Sequence, residues 1–408
     1  MKHNIITGQQ THLLGGPLFV LYKIMGAIIE AQTSQGTAVY WLETNDADFA
    51  EVNHFYYINK NKKLEKAVWQ KDTGGLCIGK VAIDDNLINL LQQFLDSIQQ
   101  TEFTPELKNI ILSAYKKGST LGQASLALAR KIFKKFPLQF FDPSRREFLT
   151  FIKPILLREA ALTPDKTQAN FFILDKNIRK AVFKKDGLFF DRKNNPVKPE
   201  NYLLLPNVKT RSICQDAYFN CGSYIAGPAE QKYLKKLQNK YKQHKIQPAT
   251  IIPRMSAAVI EKQHLRHFKR LSLKPAQLDR INWEKEKKKI LAATGFNEKK
   301  VTGKCRKAER KYLDRLQQAG IPLAKLKKET EQNLKHALGF MRRQAREKAA
   351  AKLNSWQLLK QHYNPLGNPQ ERIYNIFYYV NLYGLDNFLD YIYRSYNRNK
   401  KILEMYHD

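Results

Sequence analysis

Residues 4–7 (Asn4-Ile5-Ile6-Thr7) form a short β-type run. Apolar positions at helical spacing follow over residues 17–31, and a second β-type run spans 39–42. Strands alternating with helices in this way predict a parallel sheet wrapped by helices. Helical periodicity resumes over 87–98, 105–116 and 121–136. Strand-like runs at 171–174, 202–205 and 249–252, the last stopped by Pro253, predict a second half of the sheet. Beyond Glu261 the chain turns to long charged helices with one clear break at Gly320-Ile321-Pro322. Cys305, Ala308, Tyr312 and Leu316 before the break fall at helical spacing, as do Leu334, Leu338, Met341, Ala345, Ala349 and Leu353 after it. Two helices folded back on each other would bury both stripes. The predicted organisation is an α/β, Rossmann-like parallel-sheet core with connecting insertions over 1–261, an antiparallel helical hairpin or coiled-coil arm over 262–356, and a C-terminal segment over 357–408. Aromatic sequence at 374–396 would pack that last segment on the core.

Charge sharpens the picture of the arm. Lys plus Arg outnumber Asp plus Glu by 70 to 37, a net charge of +33. Residues 261–352 hold 27 basic and 10 acidic side chains, so they carry +17, about half of the excess. Such a segment attracts polyanions, although no RNA-recognition motif is present and solvation of the hairpin is the favoured reading. The longest apolar run, residues 18–29, is interrupted by Lys23 and is too short to span a bilayer. The N-terminus lacks the features of a signal peptide. Four cysteines without CxxC spacing read as reduced thiols, which favours the cytoplasm and argues against zinc; no metal site is expected.

Two segments carry candidate chemistry. Ile5-Ile6-Thr7-Gly8-Gln9-Gln10 ends a strand with a glycine and two amides, and Gly15-Gly16-Pro17 opens a helix. Backbone N–H groups at a helix start favour phosphate or carboxylate, and an α/β sheet puts its ligand at this end. The pattern is neither a Walker loop nor GxGxxG. A tight turn with glycines placed for packing explains it equally well. The second segment, Glu43-Thr44-Asn45-Asp46-Ala47-Asp48 with Glu51, Asn53 and His54, gathers carboxylates and an imidazole at a strand end. That set suits an amine, a metal or acid–base work, and also a solvated loop with helix caps.

Together the two segments resemble the bacillithiol biosynthesis cysteine-adding enzyme family, BshC. The residues that carry the likeness are Thr7-Gly8-Gln9-Gln10, Leu13, Gly16-Pro17-Leu18-Phe19 and Tyr22-Lys23, then Trp41, Thr44, Asp46, Asp48-Phe49, Glu51 and Asn53-His54. Further blocks match in order: Pro206-Asn207-Val208 to Arg211 with Gln215-Asp216, Tyr224 through Glu230, Pro253-Arg254 with Glu261, and Asn364-Pro365 to Gly367-Asn368-Pro369-Gln370-Glu371-Arg372. The resemblance implies a Rossmann-like core with a coiled-coil arm. It also implies joining of the L-cysteine carboxyl to the amine of glucosaminyl-malate, with ATP activating the carboxylate and magnesium as an admissible companion of the nucleotide.

On that reading Asp46, Asp48, His54 and Lys23 are the candidate catalytic residues, the first three to orient or deprotonate the amine. Thr7, Gly8, Gln9, Gln10, His12, Gly16, Pro17 and Gly227 would meet nucleotide or substrate, with Lys23 or Arg254 as cations. Arg211 and Arg254 suit the malate carboxylates. Gln215, Asp216, Tyr224 and Glu230 would line the sugar pocket, and Asn368, Glu371 and Arg372 would close the site. Each of these arginines and acids can equally be a cap or an ion-pair residue. The chain departs from the family pattern at Asn45 and Ala47, where the family has Glu and His, and at His12, where it has Gly. The loss of that imidazole predicts impaired turnover unless the His12 ring takes its place. The alternative function is a lapsed enzyme that binds RNA or another polyanion through 262–356; the arm's stripe also suits a homodimer interface.

Overall fold

The computed structural model describes residues 3–405, which form two compact units. The first comprises the chain up to Ala257 together with Gln370–Lys400. Its centre is a five-stranded sheet in which every pairing is parallel. We label its strands β1 (Asn4–Gln10), β2 (Thr37–Glu43), β3 (Leu138–Phe141), β4 (Cys221–Ala226) and β5 (Thr250–Pro253); the spatial order is β5-β4-β1-β2-β3. Ile5, Ile6, Thr7 and Gly8 in succession are buried, as expected for a strand covered on both faces. Helix α1 (Phe19–Thr33) is buried from Val20 to Ile28, so it is a core helix rather than an amphipathic surface one.

The order of the strands reverses at β1, which pairs with β2 on one side and β4 on the other. The carboxyl ends of β1 and β4 therefore diverge into a crevice, the place where open α/β sheets bind ligands. Thr7 closes the seam below it, donating its hydroxyl to Ile225 O at 3.0 Å.

The run at 249–252 does join this sheet, as β5, but those at 171–174 and 202–205 do not. They belong to a separate four-stranded antiparallel sheet built from Thr167–Asp175, Ile178–Lys185, Leu188–Phe190 and Leu203–Pro206. The reason is local: Lys176 and Asn177 adopt positive φ (47° and 67°), making a two-residue turn that returns the chain antiparallel. Helices α2 (Val208–Phe219) and α3 (Pro228–Leu234) flank β4 in sequence. A ring cluster anchors the sheet, with Phe148 fully buried 5.1 Å from Trp41 and 5.4 Å from Phe141, edge to face. Returning sequence completes the unit: Asn375, buried, donates its amide to Leu14 O at 2.9 Å and Gly16 O at 2.8 Å.

The second unit comprises Ala258–Pro369 and the chain from Lys401 on. Strand Ala258–Glu261 pairs in parallel with Ile402–Met405. Helices α4 (Glu298–Gln318) and α5 (Leu323–Lys348) form the hairpin, followed by α6 (Ala350–Tyr363). Thr330 bonds Glu309 and Arg342 forks onto Glu298, pairings that fix an antiparallel register. The two-helix hairpin is thus shorter than 262–356. Ser272 at positive φ, Pro275 and the Asn282 and Asn297 caps cut the first third into short helical pieces. Its seam also differs by one residue on α4: Leu313 is buried, whereas Cys305, Ala308 and Tyr312 are exposed. Two narrow stripes run side by side on this helix, and the larger aliphatic Leu313 with the Glu309–Thr330 bond decides which faces α5. On α5, Leu338 and Ala345 are buried and Met341 is not. The C-terminal segment 357–408 is divided: only 370–400 lie in the first unit. Among the described residues no helix is long and apolar enough to cross a membrane.

Removing a ring from the aromatic cluster should leave a cavity that the sheet cannot close. Phe148→Ala is expected to cost about 3–5 kcal/mol, read from the first unit's transition in chemical denaturation followed by circular dichroism.

Candidate active site

At the carboxyl edge of the parallel sheet lies a cavity of about 350 Å3. Gly8, Gln9 and Gln10 contribute from β1, Trp41 and Glu43 from β2, and Asn45 and Asp46 from the loop beyond. Gly227 and Glu230 come from the β4–α3 junction, and Arg254 from just past β5. Asn207 and Arg211, at the start of α2, form another wall, with Arg179 from the antiparallel sheet and Arg372 from the returning segment. Four guanidinium groups and three carboxylates thus border a single crevice.

Beneath the cavity, Lys23 is 2 % exposed, and its ammonium donates to Gly8 O at 2.5 Å and to both Glu230 oxygens at 2.9 and 3.0 Å. Burial lowers the lysine's pKa, while Glu230 opposes the shift. Burial works against the Glu230 charge as well, but Lys23, the Gly227 N–H at 2.8 Å and Arg211 hold its carboxyl below the usual range. Tyr224, buried, donates to the same carboxylate at 2.9 Å. The pair fastens α1, β1 and the start of α3 to one another.

Asp46 is a committed anion. Partial burial opposes its charge, but the Gln10 amide at 2.7 Å, Arg179 at 2.8 Å and the Ala47 N–H at 2.7 Å outweigh it, and its pKa falls. Glu43 behaves oppositely: burial raises its pKa despite Arg211 and donations from the Trp41 indole and the Asn45 N–H, both at 3.0 Å. Glu43, read only as part of the carboxylate-rich segment at the strand end, and Arg179, not read at all, are site residues to which the chain gave no role. Trp41-x-Glu43 at a strand end was the available signal for the first. Nothing near Arg179 in sequence points to it, since it enters from the inserted sheet, where its guanidinium lies 3.8 Å from the centroid of the Phe172 ring. Nε of Arg179 and Nε of Arg254 are buried and have no protein partner among the described residues.

Other candidates fall elsewhere. Asp48 is exposed and does not line the cavity. His54 and His12 border a separate cavity of about 200 Å3 with Glu51 and Arg372. His12 is held at a low pKa of about 4 by burial and by His54, and His54 is lowered by burial and Lys66. The His12 ring lies 3.4 Å from Gln9 Nε2 and borders that second cavity rather than the main one. Gly16 and Pro17 also stay outside the main cavity, because Tyr374 O accepts from Leu18 N at 2.7 Å and Asn375 occupies the turn. These two residues line the second cavity instead, beside Asn375. Thr7 is a strand tie, as described.

Gln215 and Asp216 are buried away from the cavity. Asp216, its pKa raised by burial, accepts from Tyr241 at 2.6 Å and Ala249 N at 3.0 Å, which makes it a strut for the entry to β5. Tyr224 supports Glu230 from below rather than lining the cavity. Glu371 is a strut as well, accepting from Arg254 at 2.7 Å, Ser256 at 2.8 Å and Ala257 N at 3.2 Å. That bond aims the Arg254 guanidinium. Asn368, in the second unit, is exposed and donates to Leu366 O.

A parallel sheet with this strand order and a charge-lined crevice at its switch point defines a Rossmann-like protein with a candidate site for a small ligand. The model for the bacillithiol biosynthesis BshC N-terminal Rossmann-like domain matches residues 2–163 and 158–255, and that for the BshC C-terminal coiled-coil domain matches 249–403. The chain belongs to the bacillithiol biosynthesis BshC family. Among curated relatives it is similar to the "Putative cysteine ligase BshC" of Carboxydothermus hydrogenoformans, with 26 % identity over 93 % of this chain and 80 % of the relative. The proteins of the same name from Staphylococcus carnosus and Chlorobaculum tepidum are 24 % and 25 % identical, over 95 % and 93 % of this chain and 82 % and 78 % of their own lengths.

Lys23→Met should strand the Glu230 charge. Because the Glu230 side chain is 22 % exposed, the expected cost is about 3 kcal/mol, the lower end for a broken buried pair. Adding Glu230→Gln should recover most of it, as measured by denaturant unfolding of the single and double variants.

Proposed function

We propose that the protein is a ligase that joins the carboxyl group of L-cysteine to the amine of glucosaminyl-malate, giving bacillithiol, with ATP as the energy source. The observation that carries this reading is the cavity itself: four arginines beside a carboxyl of raised pKa, in a chain that matches the cysteine-ligase family along most of its length. Two buried guanidinium N–H groups without protein partners suit an anionic ligand, either malate carboxylates or nucleotide phosphates, and such groups are costly to leave unmet. ATP, with magnesium as its companion, would supply the leaving group that makes the cysteine carboxyl reactive.

The protein's own groups then have distinct parts. Glu43 is the acceptor for the proton of the attacking amine, because a carboxyl whose pKa burial raises is a better base than Asp46, whose pKa is lowered. Asp46 orients Gln10 and Arg179, and its bond to Arg179 points that guanidinium along the cavity wall. Arg179 and Arg254 grip the anionic part of the ligand. Arg211, held by the Tyr233 hydroxyl at 3.1 Å, offsets negative charge that builds up near Gly8. Lys23 acts through Glu230 and the Gly8 carbonyl, as a positioning residue. This assignment moves the base from the Asp46–His54 stretch to Glu43, and it accounts for a site that works without an imidazole at Ala47. A cytoplasmic location suits thiol chemistry and four free cysteines. The names of the relatives lend no support to a polyanion-binding role for the basic helices.

The pure protein supplied with L-cysteine, glucosaminyl-malate and ATP should give a thiol-bearing product detectable by mass spectrometry. No product, and no thermal shift with any of the three, would rule the reading out. In the same assay, Ala47→His is expected to leave the rate within about threefold of the parent; a much larger gain would move the chemistry back to that loop.

Glu43→Gln should lower kcat by about 10²–10⁴-fold. The base is active when deprotonated, so the parent's rate falls as pH drops through its raised pKa. The variant should lose that acid limb in a kcat/KM profile, and a profile unchanged in shape would remove Glu43 from the role.

A further inference from the structure

The second unit holds a polar cluster that the ligase reading does not use. Glu261 at the end of its first strand, His264 in the following turn and His362 near the end of α6 each offer a ligand atom, and these atoms lie within 4.8 Å of one another. The three residues are only 2 %, 5 % and 8 % exposed, beside the apolar side chains of Ile260, Phe268 and Leu359. Glu261 and His264 are three residues apart, so a single turn presents both, and His362 meets them from a distant part of the chain.

The outer partners are arranged as around a metal. Tyr363 holds Nδ1 of His264 at 2.8 Å, and Gln263 donates to Glu261 Oε2 at 2.7 Å, so that Oε1 is the oxygen facing His362. Metal-binding histidines characteristically have the second ring nitrogen fixed by such a partner. The rings of His264 and His362 are 4.2 Å apart at 77°, so neither stacks flat over the other. Two imidazoles and one carboxylate are a known three-ligand set for zinc, with a fourth position left for water. The cysteine spacing, from which no metal is expected, does not bear on a site of this kind.

A competing description is an ion pair, since Glu261 Oε1 and His362 Nε2 are 2.5 Å apart. Tetrahedral zinc would need that distance to open to roughly 3.3 Å, a change within the reach of two side-chain rotations. The metal reading takes in both the pair and the second histidine, whose ring Tyr363 holds at the same point.

We propose that Glu261, His264 and His362 bind one divalent transition ion of the zinc class, which ties the strand Ala258–Glu261 to α6 within the second unit. The test uses the untagged full-length chain, stripped with a chelator and titrated with zinc against a chromophoric competitor. One equivalent is expected to bind, and cobalt in its place should give the visible bands of a low-coordinate site. His264→Ala and His362→Ala should each weaken binding by about 100-fold or more, and Tyr363→Phe by about 10-fold. Should the histidine variants fail to fold, X-ray absorption of the zinc-loaded parent reads the ligands directly, with two imidazoles and oxygen expected. Absence of stoichiometric binding to the stripped parent would overturn the site, as would undiminished binding in folded histidine variants or a ligand shell without two imidazoles.

Discussion

The first unit depends on placing a lysine ammonium out of water beneath the carboxyl edge of the sheet. Lys23 survives there because it meets two acceptors at once: the Gly8 carbonyl and the Glu230 carboxylate, which also caps α3. A lone buried charge would be prohibitively costly, and a charge paired and hydrogen-bonded on several sides is not. Since its partners lie on β1 and α3, the pair holds open the crevice between β1 and β4.

A division of labour follows among the acidic residues. Glu230 and Glu371 are struts: each is saturated by donors and fixes a cationic neighbour, Lys23 for one and Arg254 for the other. Asp46 lies between strut and site, since its charge is fully used in orienting Gln10 and Arg179. Glu43 differs because its two hydrogen-bond donors are neutral groups and burial prevails, so its pKa is raised. Surroundings, and not residue type, separate the proposed base from the groups that hold the site in place.

Much of this was legible along the chain. The strand-helix-strand opening, the membership of 249–252 in the sheet and the helical character of 298–348 all follow from apolar period and breakers, because those are local properties. Gly8, Gln10, Asp46, Gly227, Glu230, Arg211, Arg254 and Arg372 were named from motifs and do border one cavity. Others named from the same motifs, such as Gln215, Asp216 and Glu371, are buried struts. A motif records that a residue is needed, and a strut is needed as much as a ligand.

Sequence by itself thus determined the fold class, the first strand's carboxyl end as a candidate ligand end and the basic character of the second unit, since period, turn residues and charge are properties of neighbours in the chain. Only the tertiary structure decided which polar groups are dry and which partner each one meets. It brought Arg179 across from the inserted sheet, and it tied the turn before α1 to Tyr374 and Asn375. It also raised the Glu43 pKa by burial and gathered Glu261, His264 and His362 around one point. Each of these turns on distances between residues far apart in sequence, and desolvation and electrostatic coupling depend on those distances.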